Sequence, residues 1–311
     1  MKRGLAIGVL CIVLAAAGVA LAALPEEAVL SSSRNERNPA ADATGTTQVL
    51  AFTRSRSGHP NRYDAFAKRG DEATVKLNTS GQGWTGGLDY PIVPYQQINS
   101  GQSDIRLYNF DTSVREAALI NTAKWEWHPS FSGTPSEYHL LFGRDNTNSP
   151  TQRVILHMHP AHVDRLLSTV TKASHYLQPD QVNGNWATFT RCTPNCNVFR
   201  HDIQTNTTIK MPKPTTNRPR QQYAGGVSPD GDVYLVRSGP RCGERVRIVR
   251  YDPDRGDGTF GTVVASLPAD RDIAFAFVRE QFGGARDVFY DRVNCNTGKF
   301  DIFKVTDPAG P

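Results

Sequence analysis

The sequence predicts an all-β protein built from a repeated sheet, and three observations support this fold class. Twenty prolines and 26 glycines in 311 residues supply many turns, as a protein made of short strands requires. The segment SPDGDVYLVRSG, 228–239, begins with a turn and continues as an alternating strand, because Pro and Asp-Gly favour tight turns. A similar strand, ending mostly in arginine, recurs at intervals of 43 to 55 residues. It ends at Arg54, Gln97, Arg144, Arg191, Arg237 and Arg292.

Further strands are predicted around each of these six units. A second strand follows each unit after a turn, at 62–68, 104–111, 153–158, 197–203, 246–252 and 301–305. A turn containing proline is expected before four of the units, at Pro39, Pro129, Pro179 and Pro229. Candidate innermost strands occupy 28–34, 123–128, 221–227 and 272–278. A β-rich period in the forties is typical of four-stranded propeller blades.

We therefore predict a six-bladed β-propeller of four-stranded antiparallel blades, which forms a single domain over 24–311. The last repeat ends soon after 301–305, and no obvious outer strand follows it. Either a segment near 28–34 completes that sheet, or the last blade remains three-stranded. The arginines that end the units are expected to pair with aspartates of the adjoining strand, for instance Arg237 with Asp252 and Arg292 with Asp301.

The sequence resembles a known repeat family at several points. The TolB-like, WD-type propeller repeat of exported bacterial proteins is similar in three respects: the SPDG turn of 228–231, the DIR and DIF strand starts at 104 and 301, and the length of the period. The resemblance covers about residues 28–306 and is strongest in 220–306. It implies a propeller and says little about function, because such blades occur in binding proteins and in enzymes. TolB has an α/β domain ahead of its propeller, and the short segment between leader and first unit here leaves no room for one.

The N-terminus predicts a signal peptide over 1–23. Lys2 and Arg3 precede an apolar run from Leu5 to Leu24, and small residues at 20–22 offer a cleavage site, which is the pattern of a secretory leader. The mature chain is then expected to be secreted, or to lie in the periplasm or cell envelope. The run is also long enough for an uncleaved membrane anchor. No later segment is apolar enough to predict a membrane span in the mature chain.

Charge and motifs exclude several function classes. The formal charge is +5 and the leader carries two of these charges, which leaves +3 on the mature chain. The basic residues are spread along the chain, so nucleic acid is not expected as a partner. The chain has no G-x-S-x-G, phosphate loop or dinucleotide fingerprint, and serine-hydrolase or nucleotide chemistry therefore has no support. We expect a monomer.

The cysteines predict two disulfides. Without Cys11 of the leader, four cysteines remain, an even number that suits an oxidising compartment. Cys192 and Cys196 flank the turn TPN and are expected to close a small loop. Cys242 and Cys295 are expected to pair between equivalent hairpin turns of repeats five and six, tying the last blade to its neighbour.

The segment HMHPAHVD, 157–164, is the strongest candidate for chemistry. His157, His159 and His162 nearly match the H-x-H-x-D-H of metallo-β-lactamase-like hydrolases, but Ala161 stands where that motif has aspartate. A Zn or Mn site at these three histidines is one interpretation. A polar loop after a strand is the preferred one.

Oligogalacturonate lyases, propellers of the same broad group, hold a divalent metal with several histidines near the central channel. That resemblance makes His128 and His175 further candidates to join His157 and His159. Lyase chemistry would also need a general base, and no residue of the sequence stands out for that role.

The leading hypothesis is a secreted, non-catalytic β-propeller that binds a protein or a cell-envelope ligand on one face. Six repeats occur without a complete catalytic constellation, so no catalytic residue, cofactor-binding residue or cofactor is predicted. The alternative is a metal-dependent lyase or hydrolase that uses His157, His159 and His162. The sequence does not identify the partner.

Overall fold

The computed structural model describes residues 24–116, 119–145, 151–171, 175–213, 221–254, 261–280 and 285–308. The expected leader, 1–23 with Cys11, lies outside the described residues. All regular structure in the described part is β-strand or turn, as the sequence predicts. Nothing there forms a helix with the length and hydrophobicity that a membrane span needs.

The described residues form twenty-four strands. The first nine are β1 (Glu27–Leu30), β2 (Glu36–Thr44), β3 (Thr47–Arg56), β4 (His59–Arg69), β5 (Val75–Lys76), β6 (Gln82–Thr85), β7 (Ile92–Asn99), β8 (Gln102–Asn109) and β9 (Val114–Arg115). The next eight are β10 (Trp125–Thr134), β11 (Glu137–Asp145), β12 (Thr151–His159), β13 (Val163–Thr171), β14 (Tyr176–Asn183), β15 (Trp186–Cys192), β16 (Cys196–Asp202) and β17 (Thr207–Lys210). The last seven are β18 (Gln221–Val227), β19 (Val233–Ser238), β20 (Arg247–Tyr251), β21 (Thr262–Ser266), β22 (Arg271–Glu280), β23 (Arg286–Asn294) and β24 (Phe300–Asp307).

The strands form antiparallel sheets in a propeller arrangement. Four sheets have four strands each: β2 to β5, β14 to β17, β18 to β21, and β22 to β24 with β1. The fifth sheet has eight strands and contains β6 to β9 and β10 to β13. Its two halves meet at one parallel pair, Ser103 with Trp125, where the Ser103 hydroxyl donates to the Glu126 carbonyl. The sheets therefore do not confirm the expected count of six separate blades.

Apolar side chains are buried where neighbouring sheets face each other. Tyr234 and Ile248 of the β18 to β21 sheet share a buried cluster with Val288 and Tyr290 of the next sheet. Equivalent clusters join the other neighbours, so each sheet depends on the next one to remove its faces from water.

The N-terminal strand completes the last sheet, which is one of the two expected alternatives. Strand β1 runs antiparallel to β24, with Glu27 opposite Lys304, and their side chains form an ion pair of 3.0 Å. The expectation that 28–34 begins an innermost strand is wrong, because β1 is the outer strand of the last sheet. The innermost strand of the first sheet is β2.

Five innermost strands, β2, β10, β14, β18 and β22, contain the same irregularity. In each, two residues bulge out opposite a single residue of the neighbouring strand. The expectation of turns at Pro39, Pro129 and Pro179 is therefore wrong, since these prolines lie in the strands at or beside the bulge. Proline fits there because a bulged residue leaves the ladder of hydrogen bonds. Pro229 does stand in a turn, between β18 and β19.

The SPDG turn connects two sheets. Asp230 and Asp232 both form ion pairs with Arg286, the first residue of β23 in the next sheet. The Tyr234 hydroxyl donates to Asp307 of that sheet at 2.8 Å. The motif that reveals the repeat thus also carries polar contacts between neighbouring sheets.

The recurring arginines pair differently from the expectation. Arg54 and Arg144 pair with Glu36 and Glu126 of the preceding innermost strand, at 3.0 and 3.1 Å. The expected pair of Arg292 with Asp301 is wrong, because Arg292 binds Glu26 at 2.7 Å. For Arg54 and Arg144 the carboxylate therefore comes from the preceding innermost strand and not from the strand that follows.

Both expected disulfides are confirmed, Cys192 with Cys196 and Cys242 with Cys295. The second joins the β19–β20 loop to the β23–β24 loop and so links neighbouring sheets. The two bridges differ greatly in the length of chain that they enclose.

We expect the two disulfides to contribute unequally to stability. The bonded cysteines are 53 positions apart in one case and 4 in the other. Chain-entropy arguments then give a loss of about 4 kcal/mol for Cys242→Ser with Cys295→Ser, and about 2 kcal/mol for Cys192→Ser with Cys196→Ser. Urea unfolding without reductant measures both losses. Equal losses would contradict the explanation by loop length.

Candidate functional site

The innermost strands enclose a central channel with two ends. Strands β2, β6, β10, β14, β18 and β22 contact one another around one axis. We call the end where these strands begin the upper mouth, and the end where they finish the lower mouth. The lower mouth holds a cavity of about 200 Å³. Its polar lining is Asp42, Asp89, Ser132, Gln181, Asn183 and Arg279.

Two carboxyl groups, those of Asp42 and Asp89, lie together at the lower mouth. Both oxygens of Asp42 accept backbone amides, from Ala43 at 2.7 Å and from Tyr90 at 2.6 Å. Asp89 accepts the amide of Gly133 at 2.7 Å. Burial, with the Asp42 charge adding to it, raises the pKa of Asp89 to about 6. The Asp89 carboxyl is therefore largely protonated at mildly acidic pH.

Arg279 is the unsatisfied group of the lower mouth. Its Nε is buried and has no hydrogen-bond partner, and its guanidinium forms no ion pair with any residue that the structure describes. A guanidinium that lines a cavity without an ion pair can donate hydrogen bonds to an acceptor of a ligand.

Gln181 ties three innermost strands together beside the cavity. Its side-chain oxygen accepts the amides of Val227 at 3.1 Å and Val278 at 2.9 Å. Its side-chain nitrogen donates to the Val278 carbonyl at 2.8 Å. This side chain fixes the cavity wall and has little capacity left for a ligand.

Asp180 lies in the bulge of β14 and is 1% exposed. One oxygen accepts the Thr190 hydroxyl at 2.7 Å, and the other has no hydrogen-bond partner. Burial raises the pKa of Asp180 to about 7, although Thr190 and the Gly225 amide oppose the shift. The carboxyl is therefore largely protonated below neutral pH.

The upper mouth is formed by Arg37, His128 and Tyr176, on β2, β10 and β14. His128 stands in the bulge of its strand with φ +46°. Tyr176 is 42% exposed and donates to Gln178 at 3.0 Å. Burial raises the pKa of Tyr176 to about 12. The ring therefore remains a neutral phenol at any physiological pH.

The three histidines of the expected metal site stack as rings. His159 lies parallel to Tyr138 with ring centres 4.7 Å apart, and His162 meets His159 edge-on at 4.7 Å. Nδ1 of His157 bonds Asp164 at 2.8 Å. Among the described residues, no three His, Cys, Asp or Glu side chains are placed to hold a metal ion. The Zn or Mn site at His157, His159 and His162 thus gains no support from geometry and stays a prediction.

The lyase-like grouping of histidines does not form. His128 lies on an innermost strand, whereas His157 and His159 lie on β12, two strands further out in their sheet. His175 precedes β14 and its Nδ1 faces the Thr171 carbonyl at 3.3 Å. Of these candidates, only His128 lies at the channel.

Sequence reasoning missed Arg37, Tyr176 and Arg279. None of the three lies in a recognisable motif, and the residues around each of them are typical of any exposed strand end. Arg37 and Arg279 share a buried Nε without a hydrogen-bond partner with several other arginines, and only the folded arrangement places these two at the mouths of the channel. One sequence pattern could have linked Arg37 to His128. The tripeptides Arg37-Asn38-Pro39 and Trp127-His128-Pro129 each end in a proline that lies 15 residues before the arginine of its unit.

Comparisons with known proteins bear on the fold. No family model matches the sequence, and no curated protein matches it. A protein of unknown function from Dyadobacter fermentans matches with 11% identity and a TM-score of 0.59, covering 90% of this chain and 98% of that one. TolB from Acinetobacter baumannii matches with 10% identity and a TM-score of 0.47, over 88% and 79%. An oligogalacturonate lyase in complex with manganese matches with 11% identity and a TM-score of 0.49, over 90% and 85%.

At these identities the likeness concerns the fold alone. The sheet topology agrees with the resemblance seen in the sequence, and the expected β-propeller arrangement is confirmed at the level of the fold.

We expect Asp180→Asn to stabilise the protein near neutral pH. A carboxyl whose pKa rises on folding, from 3.8 to about 7, costs stability as pH rises from about 4 to 7, because only the unfolded state ionises there. The amide keeps a hydrogen-bonding group and removes this cost, with a gain on the order of 2–4 kcal/mol at pH 7.5.

Urea unfolding between pH 4 and pH 8 measures this effect. The variant should show a smaller decline than the unchanged protein over that range, because Asp89, whose pKa is also raised, contributes to the decline in both. Asp71→Asn, at an exposed turn, is the matched control and should leave the profile unaltered. Parallel profiles for Asp180→Asn and the unchanged protein would show that the carboxyl is already ionised when folded.

Proposed function

We propose that this chain is a secreted, six-bladed, non-catalytic β-propeller that binds a protein or cell-envelope ligand at the lower mouth. The count of six takes β6 to β9 and β10 to β13 as separate blades, since a single residue pair joins them. The two disulfides and the expected leader support export, because such bonds persist in oxidising compartments.

The cavity of the lower mouth is the observation that carries the proposal. It lies on the channel axis, and residues of several sheets converge on it. A concave site with few convergent polar groups and a perturbed carboxyl is where a ligand is expected first.

The chemistry of the lining indicates the kind of group that fits. Arg279 needs an acceptor, and the carboxyl pair of Asp42 and Asp89 offers acceptors to a donor. An amide supplies a carbonyl oxygen and an N–H side by side, so one peptide unit satisfies both needs. Amides occur in a loop of a partner protein and in the peptides of a cell envelope alike.

The same contacts argue for binding over catalysis. Both oxygens of Asp42 and one oxygen of Asp89 are held by backbone amides of neighbouring segments. Acids held in this way stabilise the wall of the cavity, and Asp89 also accepts the Ser132 hydroxyl at 3.4 Å.

Site-specific photo-crosslinking tests the proposal. We place p-benzoylphenylalanine at Pro229, which lines the cavity and is exposed, and at Ile209 on an outer strand as a control position. With cell-envelope material, the probe at Pro229 should give a discrete adduct and the probe at Ile209 none. Adding Arg279→Gln should reduce the adduct roughly tenfold, because a charge-assisted hydrogen bond is lost.

Arg62→Gln removes an exposed arginine elsewhere and should leave the adduct unchanged. Equal adducts at both probe positions, or an adduct insensitive to Arg279→Gln, would refute binding at the lower mouth. Metal analysis addresses the alternative: stoichiometric Zn or Mn, lost on His157→Ala with His159→Ala, would favour the metal-dependent enzyme.

A further inference from the structure

The upper mouth contains an arginine, Arg37, whose guanidinium packs on aromatic rings and forms no direct hydrogen bond to the described residues. The Arg37 guanidinium carbon lies 4.1 Å from the centre of the Phe300 ring and 5.6 Å from that of Trp84. Its Nε is buried without a hydrogen-bond partner, and no hydrogen bond from its guanidinium reaches a residue of the described ranges. By contrast, Arg54 and Arg144 each bind a glutamate directly.

Among the residues that the structure describes, one carboxylate pairs with Arg37. Asp291 is fully buried, with one oxygen 3.7 Å from the Arg37 Nε. Its oxygens accept the amides of Ala274, Phe275 and Asn38, at 3.0, 2.7 and 3.3 Å. Because these amides already stabilise the negative charge of Asp291, the Arg37 guanidinium remains available for one further anion.

His128 adds a neutral hydrogen-bonding group at this end of the channel. Its ring lies 6.2 Å from that of Phe275, the residue whose amide Asp291 holds. Neither ring nitrogen has a hydrogen-bond partner among the described residues, and Nδ1 is buried. Burial, with the Arg37 charge adding to it, lowers the pKa of His128 to about 4. The imidazole is therefore neutral at pH 7 and adds no second positive charge.

The backbone shows that histidine is not required here for structure. His128 has φ +46°, and the equivalent bulge positions of β2 and β18 hold Asn38 with φ +49° and Ala224 with φ +52°. The bulge thus accepts side chains without an imidazole ring. The unused nitrogens of His128 therefore remain available to a ligand.

We propose that the upper mouth binds the carboxylate of an organic ligand, with Arg37 as the fork and His128 and Tyr176 as hydrogen-bond partners. A carboxylate matches one guanidinium in shape and in charge. A phosphate dianion would bring a second negative charge close to buried Asp291, which disfavours it. The site is separate from the lower mouth and does not depend on the function proposed there.

Calorimetric titration with sodium benzoate tests this site, with benzamide as the neutral probe of equal shape and inorganic phosphate as the competing anion. Benzoate should bind saturably, and benzamide roughly tenfold more weakly or worse, because it cannot form the ion pair. Arg37→Gln should weaken benzoate by a similar factor. His128→Asn, which keeps a residue suited to positive φ, and Tyr176→Phe should each weaken it roughly threefold.

Arg62→Gln, which removes an exposed arginine elsewhere, serves as the control and should leave benzoate binding unchanged. Circular dichroism and the thermal midpoint verify folding, and if Arg37→Gln unfolds, His128→Asn and Tyr176→Phe decide the question. Equal binding of benzoate and benzamide, tighter binding of phosphate, or loss in Arg279→Gln but not in the upper-mouth variants would each overturn the proposal. Absence of benzoate binding would do the same.

Discussion

The sheets are held around the axis by one kind of hydrogen bond. In each case a side chain near the end of one innermost strand bonds to the backbone of the neighbouring segment. Each sheet is too small to bury both of its faces, so the ring is stable only when every neighbour is in place. The contacts run from Asp42 to the Tyr90 amide, from Asp89 to the Gly133 amide, from Ser132 to the Gly184 amide, and from Asn183 to the Val227 carbonyl. These side chains also line the lower cavity, so the groups that close the ring shape the proposed binding surface.

The bulges in the innermost strands have a related consequence for the channel. A bulge frees two backbone amides from the ladder, and these must find acceptors elsewhere. In β22 the acceptor is Asp291, which holds the amides of Ala274 and Phe275. In β14 the Thr188 hydroxyl takes the Gln181 amide. Because the bulge turns side chains such as His128 and Asp180 out of the ordinary alternation, polar groups can occupy the centre of an otherwise apolar structure.

Much of the fold could be predicted from the sequence, because the repeat leaves local marks. The spacing of the arginine-ended strands and the turn at 228–231 indicate the sheets, and the positions of Cys242 and Cys295 in equivalent hairpins indicate a bridge between neighbours. The bulges could not be predicted in this way. A proline such as Pro129 is compatible with a turn and with a bulge, and only the register of the neighbouring strand decides between them.

The candidate sites were harder to predict from the sequence than the fold was, for a different reason. A histidine-rich segment such as 157–164 attracts attention by composition, yet its rings pack on Tyr138 and its neighbours. Arg37 and Arg279 matter because their side chains lack hydrogen-bond partners, and the lack of a partner is a property of the folded arrangement. A sequence pattern records which residues are present, whereas the site depends on which of them remain unsatisfied.

The pairing of β1 with β24 joins strands from opposite ends of the described chain. During synthesis, β1 emerges first and its partner emerges last, so the ring can close only after nearly the whole polypeptide is available. Contacts of such long sequence separation slow folding.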